Sequence, residues 1–145
     1  KNIAFIILIF LIFLQIVLGA FVSGLDAGKI YQTWPLMNGK YFPDDYFLKD
    51  LPNLNNPSFV QFLHRNIAYL IFFLAVYLGV SIYKKKENKL YKSFLIFFLF
   101  INIQVVLGIS VLFSGTNILF ASAHQISSIL LIASLLNMYH RSFKS

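Results

Sequence analysis

The chain has 145 residues, of which 59% are hydrophobic, 18% aromatic and only 12% charged. Soluble domains carry about 25% charged residues, so a solvated exterior is excluded, and with it any large soluble catalytic domain. A hydrocarbon core roughly 30 Å thick takes about 20 apolar residues per helix, which leaves room for at most four or five spans.

The absence of cysteine removes disulfides, thiolate catalysis, Fe–S clusters and zinc-thiolate sites. A first residue of Lys1 rather than Met points to a processed product or a piece of something longer.

In chain order, the uncharged run from Asn2 to Leu25 predicts a first span over 3–23. A signal peptide is the competing reading, but its apolar region is usually about 7–15 residues, shorter than this run. From 24 to 57 Gly, Asn, Asp and four prolines (Pro35, Pro43, Pro52 and Pro57) predict an exposed connection. A second span is expected over 58–83 with Ser58 as its cap, followed by a basic turn from Lys84 to Lys92. No Asp, Glu, Lys or Arg occurs between Ser93 and His140, which is enough for two spans, 93–114 and 118–140, broken at Ser114–Asn117. The expected architecture is all-α: one transmembrane domain over 1–145, an integral membrane four-helix bundle of two tandem helix pairs.

Loop charge orients it. Lys84, Lys85, Lys86, Lys89 and Lys92 follow helix two, Arg141 and Lys144 follow helix four, and Lys1 precedes helix one. By the positive-inside rule these ends, and both termini, face the cytoplasm or its equivalent. The long loop carries Lys29, Lys40 and Lys49 against Asp26, Asp44, Asp45 and Asp50 and faces outward. The net charge of +7 is thereby assigned to topology and anionic lipid headgroups rather than to nucleic acid.

An internal echo accompanies this count. Gln15–Gly19 (QIVLG) matches Gln104–Gly108 (QVVLG), and His64 in helix two answers His124 in helix four. The two halves read as a parallel repeat, against coincidence in a Leu/Ile/Phe-rich chain. Each histidine lies about six residues into its helix, roughly 9–10 Å below the outer surface. Intramembrane ionisable residues are rare and usually functional. Two level imidazoles facing one another can supply both axial positions of a haem iron; the alternative is that each merely hydrogen-bonds to another helix.

Arg65 is costly at that depth without a partner, for which a haem propionate and snorkelling to the headgroups are the two readings. Gln15, Gln61 and Gln104 read as interhelical hydrogen bonds worth roughly 1 kcal/mol each. Gln61, three residues before His64, shares its face and can contact a ligand there, but an amide is no general acid or base. His140 reads as interfacial, and the loop carboxylates, with Lys29 and Trp34, as ordinary solvated residues, though paired carboxylates can bind a hard cation.

The stretches GLDAGKIYQTWPLMNG (24–39) and NPSFVQFLHR (56–65), with QVVLG and SAHQ further on, resemble the haem A synthase family of cytochrome oxidase assembly over nearly the whole chain. The resemblance implies eight spans in two similar four-helix halves, of which this chain is similar to the C-terminal one. It implies oxidation of a methyl group of haem O to the formyl group of haem A. It further implies that His64 and His124 hold the iron of a haem b.

In the family's N-terminal half a catalytic glutamate stands three residues before the corresponding histidine. Here that place is Gln61, so the resemblance assigns no catalytic residue to this chain and implies that it is inactive alone. Nor does it have the cysteine pair that some relatives carry in an outer loop. Implied partners are the bilayer, the N-terminal half with its haem O site, and haem O synthase or oxidase assembly factors. The implied location is a bacterial cell membrane or the mitochondrial inner membrane. A non-enzymatic b-type cytochrome or haem-handling module, or a purely structural assembly subunit, are the alternatives.

Overall fold

A computed structural model describes residues 2–44 and 53–143. Lys1, Asp45, Lys49, Asp50, Pro52 and Lys144, which enter the charge reading above, lie outside the described residues. The chain forms four helices, α1 (Asn2–Gly24), α2 (Pro57–Lys84), α3 (Asn88–Phe113) and α4 (Ile118–Ser142), with a 3-10 turn at Ala27–Lys29. All four are long and apolar enough to cross a membrane. They make an all-α membrane bundle in which α1 packs chiefly on α2 and α3 on α4, while α1–α4 and α2–α3 contacts close the ring.

Three local expectations need correction. The cap of α2 is Asn56, whose side chain accepts from the Phe59 N–H at 3.1 Å, with Pro57 at the first helical position and Ser58 buried behind it. Helix α3 starts at Asn88, five residues before the expected 93, so the basic turn shrinks to 85–87. Lysine is a good helix former, and its stem lies along apolar surface while the ammonium reaches water. The connection after α1 is not wholly exposed either: Ala27, Gly28, Tyr31 and Met37 are buried against the helix ends. Within it Met37 and Lys40 exchange backbone hydrogen bonds of 2.8 and 3.1 Å around Asn38-Gly39, both with positive φ.

The apolar core fills only one end of the bundle. Phe5, Leu8 and Ile12 from α1 meet Ile71, Ala75, Leu78 and Ile82 from α2, spaced three and four apart on one face of each helix. Leu90, Phe94, Phe97 and Ile101 from α3 and Leu131, Leu135 and Met138 from α4 complete it. This core lies toward the α2–α3 turn. The opposite end, under the long loop and the α3–α4 turn, holds Gln15, Gln61, His64, Arg65, Gln104 and His124. The outward faces present Phe10, Phe13, Phe73, Leu99 and Ile129, which lipid tolerates where water would not.

Where α2 passes α3, Gly79 faces the ring of Phe94 so closely that a methyl group on Gly79 would overlap it. Overpacking a filled core costs about 1–3 kcal/mol. Gly79→Ala is expected to lower the thermal unfolding midpoint in detergent, with partial recovery on adding Phe94→Leu. Gly24→Ala, with nothing within 4 Å of the added carbon, should leave it unchanged.

Candidate functional site

Seven residues from the start of α2 and six from the start of α4, His64 and His124 come to the same level at the loop end of the bundle. Their rings face each other with centroids 6.5 Å apart and planes 71° apart. Each is anchored by a glutamine on the preceding helix. Gln15 donates from Nε2 to the His64 carbonyl at 2.9 Å, and Gln104 does the same to the His124 carbonyl at 3.0 Å. The echo in the sequence is thus an echo in space: the Gln of the outgoing helix ties itself to the His of the returning one.

The two copies differ in one detail. Ser127, three residues after His124, donates to the His124 carbonyl at 3.1 Å and lies 2.5 Å from Gln104 Nε2; at the matching place after His64 stands Ile67.

Both imidazoles leave Nδ1 buried without a hydrogen-bond partner. An unpartnered buried polar atom costs about 1–3 kcal/mol, so two at one level call for a physical reason. Gly19 and Gly108 lie against these rings: a Cβ on Gly19 would stand 3.4 Å from His64 Cε1, and one on Gly108 3.3 Å from His124 Cε1. Imidazole–metal bonds are about 2.0–2.1 Å, as in zinc sites, which sets the centroids of two rings sharing one ion on the order of 6–6.5 Å apart. The observed separation suits a shared ion. Among the described residues no group of three or more His, Asp or Glu gathers, here or elsewhere.

Arg65 and Gln61 turn away from the bundle axis and into the loop. Arg65 is buried; it donates from one terminal nitrogen to the Tyr31 carbonyl at 2.8 Å and from the other to the Thr33 carbonyl at 2.8 Å. Gln61 Nε2 donates to the same Tyr31 carbonyl at 2.9 Å. Neither reading offered for Arg65 anticipated this: the guanidinium does not snorkel outward but straps the loop to α2. Its Nε and Gln61 Oε1 remain buried without partners.

The strap is reinforced nearby. Tyr41 donates its hydroxyl to Asn66, Tyr69 donates to the Pro35 carbonyl at 3.3 Å, and Tyr41, Phe42 and Phe62 pack as an aromatic cluster. The Tyr31 hydroxyl accepts from the Asp44 N–H at 3.0 Å.

The remaining polar residues stand apart. His140 is exposed in the last turn of α4, at the far end of the bundle. Asp26 pairs with Lys29 at 2.8 Å and Asp44 with Lys40 at 2.6 Å, exposed ion pairs of small energetic worth. The hydrogen bond to Asp44 and its charge push the Lys40 pKa above the ordinary lysine value, so the ammonium stays charged through neutral and mildly alkaline pH. Trp34 is exposed. Sequence reasoning missed Gly19, Gly108 and Ser127 as neighbours of the histidines, although the QIVLG and QVVLG echo contains both glycines. It also missed Tyr31 and Thr33, whose contribution is a backbone carbonyl.

Replacing Arg65 by Leu frees the carbonyls of Tyr31 and Thr33. The expected outcome is faster tryptic cleavage after Lys40 in the detergent-solubilised protein, with helical circular dichroism unchanged; equal cleavage rates would contradict the strap.

The whole of this arrangement falls inside one recognised sequence family. The COX15-CtaA family, described as cytochrome oxidase assembly protein, matches residues 2–136. Haem A synthase of Pelagibacter ubique is 47% identical over 136 residues, which is 92% of this chain and 40% of that protein. The haem A synthases of Rickettsia africae (37% over 137 residues) and Wolbachia pipientis wMel (42% over 131) cover 92% and 88% of the chain and 40% and 36% of their own lengths. The chain therefore spans about 40% of the length of the haem A synthases it most resembles here. Matched along almost all of its residues, it belongs to the COX15-CtaA family of cytochrome oxidase assembly proteins.

Proposed function

We infer that this chain is the cofactor-holding part of a haem A synthase, in which His64 and His124 would hold the iron of a b-type haem. The observation that carries the reading is the pair of level, facing imidazoles with centroids 6.5 Å apart. Among the described residues no third His, Asp or Glu joins them. A metal held by two residues alone must bring its other ligands with it, as iron in a porphyrin does. Neutral imidazole adds no charge to the bilayer, and the similarity to haem A synthases supplies the substrate class.

Within this reading each residue has a task. His64 and His124 supply the axial nitrogens. Gln15 and Gln104 fix the height of the two histidines by their hydrogen bonds to the histidine carbonyls. Arg65, with a buried Nε–H to spare, pairs with a haem propionate while holding the loop over the site. Gln61 lines the same face and contacts the group. The bound haem supplies one-electron chemistry, its potential set by axial ligands and burial.

Gln61 is an amide engaged with Tyr31, unfit to move a proton at neutral pH. The methyl-to-formyl oxidation of haem O is therefore assigned to the portion of the relatives that this chain does not match, and the chain by itself does not complete it. The one transmembrane unit sits with the α2–α3 turn and both termini on the cytoplasmic or matrix side.

Three experiments follow. The purified chain is expected to show a six-coordinate low-spin haem spectrum that is lost in His64→Ala and in His124→Ala; unchanged haem content in both would sink the assignment. If haem binds, adding the missing portion of a relative should yield formyl haem, whereas a b-type cytochrome without oxidase chemistry would yield none. For orientation, the chain's freedom from cysteine permits single-cysteine labelling. A membrane-impermeant maleimide applied to intact cells should modify Asn55→Cys and spare Lys85→Cys, and the reverse pattern would overturn the topology.

A further inference from the structure

The two histidine carbonyls are tied, but the rings themselves are not. Ligand histidines ordinarily donate the second ring nitrogen to a carbonyl or carboxylate, which fixes the ring's rotation. Here Nδ1 of both His64 and His124 is buried with no such partner. Something other than a hydrogen bond must set the ring planes.

What touches the rings is glycine, at the same place in both copies. Gly19 follows Gln15 by four residues and Gly108 follows Gln104 by four, so each glycine lies one turn beyond its glutamine on the same helix face. An added Cβ would meet His64 Cε1 at 3.4 Å and His124 Cε1 at 3.3 Å, with His124 Nδ1 and Nε2 both at 3.8 Å. Each imidazole thus lies beside a stretch of α1 or α3 without a side chain, where an added methyl would stand at ordinary contact distance at Gly19 and slightly closer at Gly108.

We propose that Gln15–Gly19 and Gln104–Gly108 are two copies of one imidazole-setting element. In each, the glutamine fixes the height of a histidine on the next helix and the glycine fixes the rotation of its ring. These are positioning residues, acting on the site through His64 and His124. The element is tighter in its second copy, where Ser127 holds the His124 carbonyl at 3.1 Å alongside Gln104. Loss of Gln15 therefore disturbs its histidine more than loss of Gln104 disturbs the other.

The rival explanation is that both glycines merely let helices approach, and a double-mutant cycle on the 145-residue chain separates the two. Gly108→Ala, whose added carbon is the tighter of the two, should lower the thermal unfolding midpoint of the protein in detergent, and the same change in a His124→Ala background should lower it no further. Gly19→Ala with His64→Ala should follow the same pattern with a smaller loss. If Gly19→Ala fails to fold alone, recovery of folding by His64→Ala supports the proposal and failure of both variants overturns it. An equal loss with and without the histidine, or no loss in either background together with an unshifted spectrum in the next measurement, also overturns it.

The second measurement rests on the haem reading. In the haem-loaded protein Gly19→Ala and Gly108→Ala should shift the g values of the low-spin ferric signal at unchanged haem content, Gln15→Leu more than Gln104→Leu, and Gly24→Ala not at all. Unshifted g values in both glycine variants would overturn the role in ring rotation. A wild-type chain that binds no haem would defeat the functional reading while leaving the unfolding cycle to decide the element.

Discussion

The structure depends on one constraint: a polar group buried in a membrane bundle must find its partner inside the protein or in something the protein holds. Most of the buried polar side chains here obey it within the chain. Gln15 and Gln104 find histidine carbonyls, Gln61 and Arg65 find the carbonyl of Tyr31, and Ser134 finds the Leu131 carbonyl of its own helix. Atoms without a partner remain on both imidazoles and also on Gln15, Gln61 and Arg65. These five residues stand together at the end of the bundle that the apolar core leaves free.

The division of labour along the bundle follows. Phe5, Phe97, Leu135 and Met138 close one end into a dense apolar plug. At the other, the loop is folded down by Arg65, Gln61 and the Tyr41–Phe42–Phe62 cluster, and Gly28 comes close enough to Thr116 that a Cβ there would stand 2.9 Å from its methyl group. The loop from the first helix pair therefore rests on the turn of the second. The site lies between a rigid plug and a strapped cover, a setting in which a cofactor is held dry and its potential is governed by protein rather than by water.

Much of this was legible in the sequence, for identifiable reasons. Span number came from hydropathy and charge, because lipid imposes a length on every helix. The level of His64 and His124 came from counting rise along helices taken to start at Ser58 and just after the Ser114–Asn117 break, close to the observed starts at Pro57 and Ile118. The pairing of Gln15 with one histidine and Gln104 with the other was foreshadowed by the repeated QIVLG and QVVLG.

The loop's contribution was not legible, because Tyr31 and Thr33 act through backbone carbonyls whose position depends on the path of the chain and not on residue type. The contacts of Arg65 with those carbonyls escaped for the same reason: no side-chain acid announces them. The early start of α3 escaped because charge was taken as a helix boundary, although lysines sit comfortably in a first turn whose ends reach water.

X-ray absorption at the iron edge of the purified chain tests the central claim most directly. The account predicts six nitrogen neighbours, four from the porphyrin and two from imidazoles on opposite sides. A five-coordinate iron, or a sixth ligand that is water, would contradict it.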